Sequence, residues 1–337
     1  MVPPVGPPKQ LIIIYTGETL SIPEENESYT PAEGGLPAVA RTIDEYEAQI
    51  VDYTRMRVLN EGGDPSRVKA DSAKGMLGDS PYVLLDYGLW ERPNDEHGDL
   101  YVGLYLRMFA NLHYAAVGAM LYERLSPERW EQYRAVAPLG FEVLASAGQP
   151  QGSPLPTVPI VTRVVHGDTW GIVAIPQPRL SEGPPEQVNA AAAKRMIGFL
   201  DGAAAELKRA HCRFSILLAA DGPDEMYAKL LKDKRFTVVI GAAKRYAVAQ
   251  GYGDMPANGA VLLPPVNPGG REIGVCHLYY PTAGDRPFQY YFSKKKCVHP
   301  VVPPIPYGKQ VEAAIAQHKA LTQAAKAQSH VQNPATR

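Results

Sequence analysis

The loop Asn94–Asp99, NDEHGD, sets His97 beside Asp95, Glu96 and Asp99, oxygen and nitrogen donors that could take up a cation. An exposed turn accounts for the same residues, and no catalytic centre is expected there. The other histidines considered, His113, His166, His211, His277 and His299, fall on different segments and share no metal-ligand spacing, so they read as core or surface residues. Cys212, Cys276 and Cys297 are odd in number and far apart, which describes neither a disulfide framework nor a zinc knuckle. Lys294, Lys295 and Lys296 follow Tyr290, Tyr291 and Phe292, a basic and aromatic run that could grip a nucleic-acid backbone. Three lysines at a strand end are more often a solvated edge that resists aggregation, and that is the reading adopted. No GxSxG, P-loop or dinucleotide fingerprint occurs, and no CxxCH for haem attachment.

These residues need elements to hold them, and the composition allows a full core. The chain has 337 residues, 45% hydrophobic and 20% charged, with a net charge of −1. No global field attracts nucleic acid or an anionic membrane. No apolar run reaches the roughly 20 residues that span a bilayer, and no signal peptide is visible in MVPPVGPPKQ.

Residues 1–10 are proline-rich and predict an extended arm. Leu11–Thr16, LIIIYT, reads as a strand buried on both faces, ended by Gly17. Leu36–Val51 has helical spacing. Asp52–Ser80 reads as an irregular connection, Tyr82–Asp86 as the second core strand and Asp99–Leu112 as a helix. Ala115–Gly118 is a strand in which Gly118 permits a sharp turn. Ser126–Ala137 is a capped helix and Phe141–Ser146 a strand. The pattern then changes, with a hairpin at Ile160–Val165 and Thr169–Ile175 and a helix within Pro184–Arg209. Strands Phe214–Ala219, Thr237–Gly241, Ala260–Leu263 and Glu272–Tyr280 follow, with a short helix at Asp224–Lys232 and a terminal helix at Gln310–Gln328. Phe288–Ser293, FQYYFS, with the prolines at 300, 303, 304 and 306, fits a core strand or a partner surface. Two facing sheets with helices outside accommodate this order.

Nine segments in this order resemble the calcineurin-like metallophosphoesterases, most closely the phosphatase domain of the bacterial 5′-nucleotidases. LIIIYTGETLS is similar to a strand ending in TNDLHG, and GGLPAVARTIDEY to GGLARLATLI. VLLDYGLW is similar to LLLDAGD, and AVGAMLYE to the GNHEFD turn. FEVLASA and TWGIVAIPQP match the strands expected next, SILLAADG is similar to ILLSHLG, VVIGAAKRY to VIIGGHTH, and GGREIGVCHL to GKYVGRLDL. The resemblance covers roughly residues 11 to 320. It implies a four-layer α-β-β-α sandwich of two mixed sheets, an α/β fold, spanning residues 11–309 between the arm and a C-terminal helix and polar tail at 310–337.

The family's two divalent metals require Asp and His at strand ends. The resemblance places Glu18 and Leu20 at the first Asp and His, Leu89 at the bridging Asp, and Ala119 and Met120 at the Asn and His of the turn. Ala220, Ala243 and Arg245 replace the remaining imidazoles. A dinuclear centre is not expected, and no metal or other cofactor is assigned. In the family's arrangement Glu18, Asp86, Glu123, Asp221, Lys244 and Arg245 would share the vacated cleft. Lys244 and Arg245 would either bind an anion or pair with the carboxylates.

The resemblance therefore implies a catalytically inactive domain serving as a structural or protein-interaction module. Related domains are joined to other modules in exported bacterial proteins, which implies a protein partner, a multihaem cytochrome of a redox assembly among them, and a periplasmic or extracellular setting. No nucleic-acid partner and no membrane span are expected. The alternative is a divergent phosphoesterase or nucleotide-binding protein using the remodelled cleft.

Overall fold

The computed structural model describes residues 9–17, 35–71, 76–77, 80–88, 108–118, 142–144, 157–175, 185–219, 223–267, 270–280 and 289–297, together with helical positions 316 and 320. Strand β1, Lys9–Thr16, is followed by helix α1, Gly35–Asn60, and short strands β2, Ala70–Asp71, and β3, Met76–Leu77. Strands β4, Ser80–Asp86, β5, Ala116–Gly118, β6, Glu142–Leu144, and β7, Thr157–Val158, complete the first half. The second half holds β8, Val161–Val165, β9, Asp168–Ile175, helix α2, Pro185–Arg209, β10, Phe214–Ala219, and helix α3, Asp224–Leu230. Strands β11, Val238–Ile240, β12, Gly251–Asp254, β13, Val261–Leu263, β14, Glu272–Tyr280, and β15, Gln289–Lys296, close the order.

Two mixed sheets result. The first has ten strands along β12-β15-β14-β1-β4-β5-β6-β7, with β3 pairing β4 and β2 pairing β3. The second has five, in the order β13-β11-β10-β9-β8. Period-two alternation divides each central strand between two layers. Ile12 and Ile14 of β1 join Leu36, Val39, Ile43 and Tyr46 of α1 on the outer face. Leu11, Ile13 and Tyr15 face Trp170, Ile172, Phe214, Ile216, Val238 and Ile240 of the second sheet. The opposite faces of β9, β10 and β11 receive Met196, Leu200 and Leu207 of α2 and Met226, Tyr227 and Leu230 of α3. Three apolar layers between four structural layers make the α-β-β-α sandwich.

Several expectations change. Helix α1 runs past Val51 to Asn60, so the connection expected from Asp52 begins nine residues later, after Asn60. It stops where Gly62 adopts φ 79° and the Gly62 and Gly63 amides donate to the carbonyls of Leu59 and Val58, closing the last turn. The remaining connection contains β2 and β3, paired antiparallel. Strand β15 lies inside the sheet between β14 and β12, and β12 had no counterpart in the sequence reading. Beyond Gly251 the β15 strand has no β12 partner, so its lysines occupy a local edge. Lys294 is not solvated there: it sits 3.2 Å from Glu272, both side chains 14% exposed, and donates to the Pro265 carbonyl at 2.7 Å. The helix expected at Asp99–Leu112 is described only at 108–111, and that at Ser126–Ala137 lies outside the described residues. Of the terminal helix only positions 316 and 320 are described.

Candidate functional site

In open α/β sheets functional groups gather at the carboxyl ends of parallel strands. Here Thr16, Asp86 and Gly118 end β1, β4 and β5, and Ala219 and Ile240 end β10 and β11 of the facing sheet. The parallel registers Thr16 with Asp86 and Asp86 with Val117 bring the first three ends side by side.

Asp86 is wholly buried, held there because it terminates the apolar run YVLL. The Thr16 hydroxyl donates to its Oδ2 at 2.6 Å, and the Gly88 amide donates to Oδ1 at 2.7 Å. With the Thr16 proton directed at the carboxylate, the Tyr114 phenol is the donor in its 2.8 Å contact with Thr16 Oγ1. Burial pushes the Asp86 pKa up to about 7, against the downward pull of Thr16 and the Gly88 amide. Both carboxylate oxygens are thus occupied by neutral donors.

Tyr87, the next residue, is also fully buried. Its ring lies 6.4 Å from that of Tyr15, centroid to centroid, and against the backbone of Gly17, where a Cβ would overlap it. A Cβ on Gly241, after β11, would stand 3.1 Å from the same ring, and one on Gly118 would stand 2.8 Å from the Tyr87 carbonyl oxygen. Gly118, whose φ is not positive, answers to close packing against the Tyr87 backbone, and the turn expected after it lies outside the described residues. Gly17 thus leaves room for the Tyr87 ring at the junction between the sheets, whereas Gly241, with φ 88° and the Ala219 carbonyl oxygen overlapping the place of a Cβ, answers first to its own backbone.

Beyond β11 the second sheet is lined by Ala242 and Ala243, both buried. The Ala243 amide donates to the Tyr227 hydroxyl at 3.0 Å, and Tyr227 stacks on Tyr246 with centroids 4.9 Å apart. Lys244 and Arg245 are exposed. The Arg245 guanidinium pairs with Asp224 at the start of α3, holding that carboxyl below its ordinary range, and lies over the Tyr246 ring. Glu18, Glu123 and Asp221 lie outside the described residues, as do Leu20, Leu89, Ala119, Met120, Ala220 and the loop with His97. Among the described residues no ion pair joins two of the six cleft candidates.

Asp224 is a partner that sequence reasoning missed, although its place as an acidic first-turn residue gave the signal. Tyr87 was missed as well. Among the described residues no group of three His, Cys, Asp or Glu side chains converges to hold a metal ion. Of the described strand-end residues, Asp86 with both oxygens engaged, Tyr87 and two buried alanines do not supply the donor set of the family's dinuclear centre. The three cysteines are free, with Cys276 and Cys297 buried. No described helix is long and apolar enough to cross a membrane.

No protein-family model and no curated protein matches the sequence. Solved structures do match the fold. A 5′-nucleotidase precursor from Thermus thermophilus aligns with TM-score 0.60 at 14% identity, over 94% of this chain and 59% of its own. The calcineurin-like phosphoesterase YfkN from Bacillus subtilis aligns with TM-score 0.59 at 14% identity, over 94% of this chain and 98% of its own. The Thermus thermophilus sulfate thiohydrolase SoxB, solved with glycerol, aligns with TM-score 0.61 at 13% identity, over 96% of this chain and 62% of its own. The chain thus spans about three fifths of the nucleotidase and the thiohydrolase and nearly all of the solved YfkN chain. Sandwich topology, layer order and these alignments agree that this chain has the fold of the calcineurin-like phosphoesterases and 5′-nucleotidases.

Proposed function

We infer that this chain is a catalytically inactive metallophosphatase-like domain, a structural or protein-interaction module built on a nucleotidase fold. The observation that supports this reading most is the Tyr87 ring packed between Gly17 and Gly241, where the carboxyl ends of the two sheets meet. A ring in that position displaces water and ions together. Neutral donors on Asp86 and methyl groups after β11 add to the same reading, since hydrolysis needs an activated water and a group to stabilise developing charge. Arg245 could serve an anion only by leaving Asp224. A protein partner in an extracytoplasmic redox assembly, such as a multihaem cytochrome, is the partner class suggested by the sequence resemblance.

The test is turnover of 4-nitrophenyl phosphate, bis(4-nitrophenyl) phosphate and adenosine 5′-monophosphate with Mn²⁺ present. The expected rate equals that of the protein-free blank. Saturable turnover that rises with protein concentration and disappears on adding a chelator would overturn the inactive reading and favour a divergent phosphoesterase.

A further inference from the structure

The outer face of the ten-stranded sheet is covered by α1 near β1, but an aromatic surface continues from α1 toward the β12 edge. Its inner wall is tied down. His277 of β14 lies 2.5 Å from the Tyr46 hydroxyl through Nε2 and 2.6 Å from the Gln10 amide nitrogen through Nδ1. With Gln10 donating to Nδ1, Nε2 carries the proton and donates to Tyr46. Tyr291 lies beside His277 on β15, with ring centroids 5.9 Å apart, and Tyr252 of β12 lies 4.7 Å from Tyr291. Tyr252 is 77% exposed, and Tyr53, Met56 and Leu59 of α1 are 69%, 66% and 61% exposed. Tyr279 stacks on His277 with ring centroids 6.5 Å apart, and its phenol pKa is raised by burial first and then by Tyr252. A surface of tyrosine faces with hydroxyl donors suits a polyproline II segment, whose rings stack on aromatics and whose carbonyls lack internal hydrogen bonds.

The chain carries such a segment beside this surface. Residues 1–8, MVPPVGPP, lie outside the described residues and lead directly into Lys9, whose Cα partner in the sheet is Tyr280, while Gln10 pairs with Tyr279. From β1 across β14 and β15 to β12 is three strand spacings, about 14 Å. Eight residues in polyproline II geometry reach about 25 Å. We propose that the proline-rich arm, through Pro3, Pro4, Pro7 and Pro8, docks on the aromatic surface formed by Tyr53, Tyr252, Tyr279 and Tyr291 of its own chain.

The experiment uses the full chain with Cys212→Ser, which leaves two buried thiols. Val5→Cys is combined either with Asp254→Cys, on the same face of β12 as Tyr252, or with Glu225→Cys on α3, and both target positions are exposed. Under oxidised glutathione the Val5–Asp254 disulfide should form at least ~10-fold faster within one chain than the Val5–Glu225 disulfide, a preference that docking through local contacts creates. Replacing the four prolines by serine should slow the Val5–Asp254 disulfide at least ~5-fold and so lower that preference to what tethering alone allows. Equal rates for the two pairs, or a preference unchanged by the serine substitutions, would overturn the proposal. Disulfide-linked dimers without the intrachain product would also overturn it, assigning the surface to a second copy.

Discussion

Tyr87→Ala should lose about 3–5 kcal/mol of folding stability, the cost of deleting a fully buried aromatic side chain where the surroundings cannot collapse. Part of the wall around the ring is backbone: Gly17 and Gly241 have no side chains that could move into the space. Urea unfolding should show a lowered midpoint with an unchanged slope. Tyr252→Ala, at an exposed ring, should remain within about 0.5 kcal/mol of the parent. A Tyr87→Ala midpoint equal to that of Tyr252→Ala would mean that the ring does not fill the junction.

Asp86→Asn should change the pH dependence of stability in a defined direction. Burial raises the folded pKa of Asp86 to about 7, above the value of an unfolded carboxyl. Between the two values the folded chain binds the additional proton, so the Asp86 contribution to stability is complete below pH ~4 and is lost as pH rises through about 7. Asparagine keeps the shape and cannot ionise. The variant should therefore gain on the parent across pH 4 to 7, by up to ~4 kcal/mol for a shift near three units. Among the described residues Asp44 and His277 also have shifted values in this window. Asp44 of α1, partly buried beside Glu47 and Glu45, is raised to about 7 and acts in the same direction. His277, half-buried and near Lys295, is lowered to about 4, and its contribution grows as pH rises toward the ordinary histidine value. Since both are common to the two proteins, the difference between the parent and Asp86→Asn unfolding midpoints isolates Asp86. Parallel midpoint curves from pH 4 to 8 would refute the neutral buried carboxyl.

The layers were legible because their strands are continuous apolar runs. LIIIYT, SILLA and VVI cannot sit anywhere but between two covered faces, and their observed bounds lie close to the expected ones. Helix α1 was cut short because Tyr53, Met56 and Leu59 break the apolar stripe without breaking the helix, and propensity carries it to Gly62. Strand β12, GYGD, has two glycines and one aromatic, so no alternation announces it; pairing with β15 makes it a strand. At the site, the carboxylate Asp86 was legible by type but not by state. That it ends a buried run and meets only neutral donors depends on Thr16 from another strand, 70 residues earlier. Arg245 was placed among the cleft candidates, whereas its partner in the structure is Asp224, 21 residues back on α3. Tyr87 escaped notice because a tyrosine before a glycine at a strand end is ordinary. The informative pattern is distributed, with Gly17 and Gly241 after two strand ends and a single bulky ring after a third.

The most direct measurement is metal stoichiometry by elemental analysis, on purified protein incubated with excess Mn²⁺ or Zn²⁺ and freed of unbound ion. The account predicts less than about 0.1 ion per chain, because among the described residues the strand-end junction, filled by Tyr87 and lined by alanines, brings no ligand set together to offset the cost of stripping water from a divalent cation. Two tightly held ions per chain would contradict it, and would place a working dinuclear centre at the strand ends that Tyr87 is argued to fill.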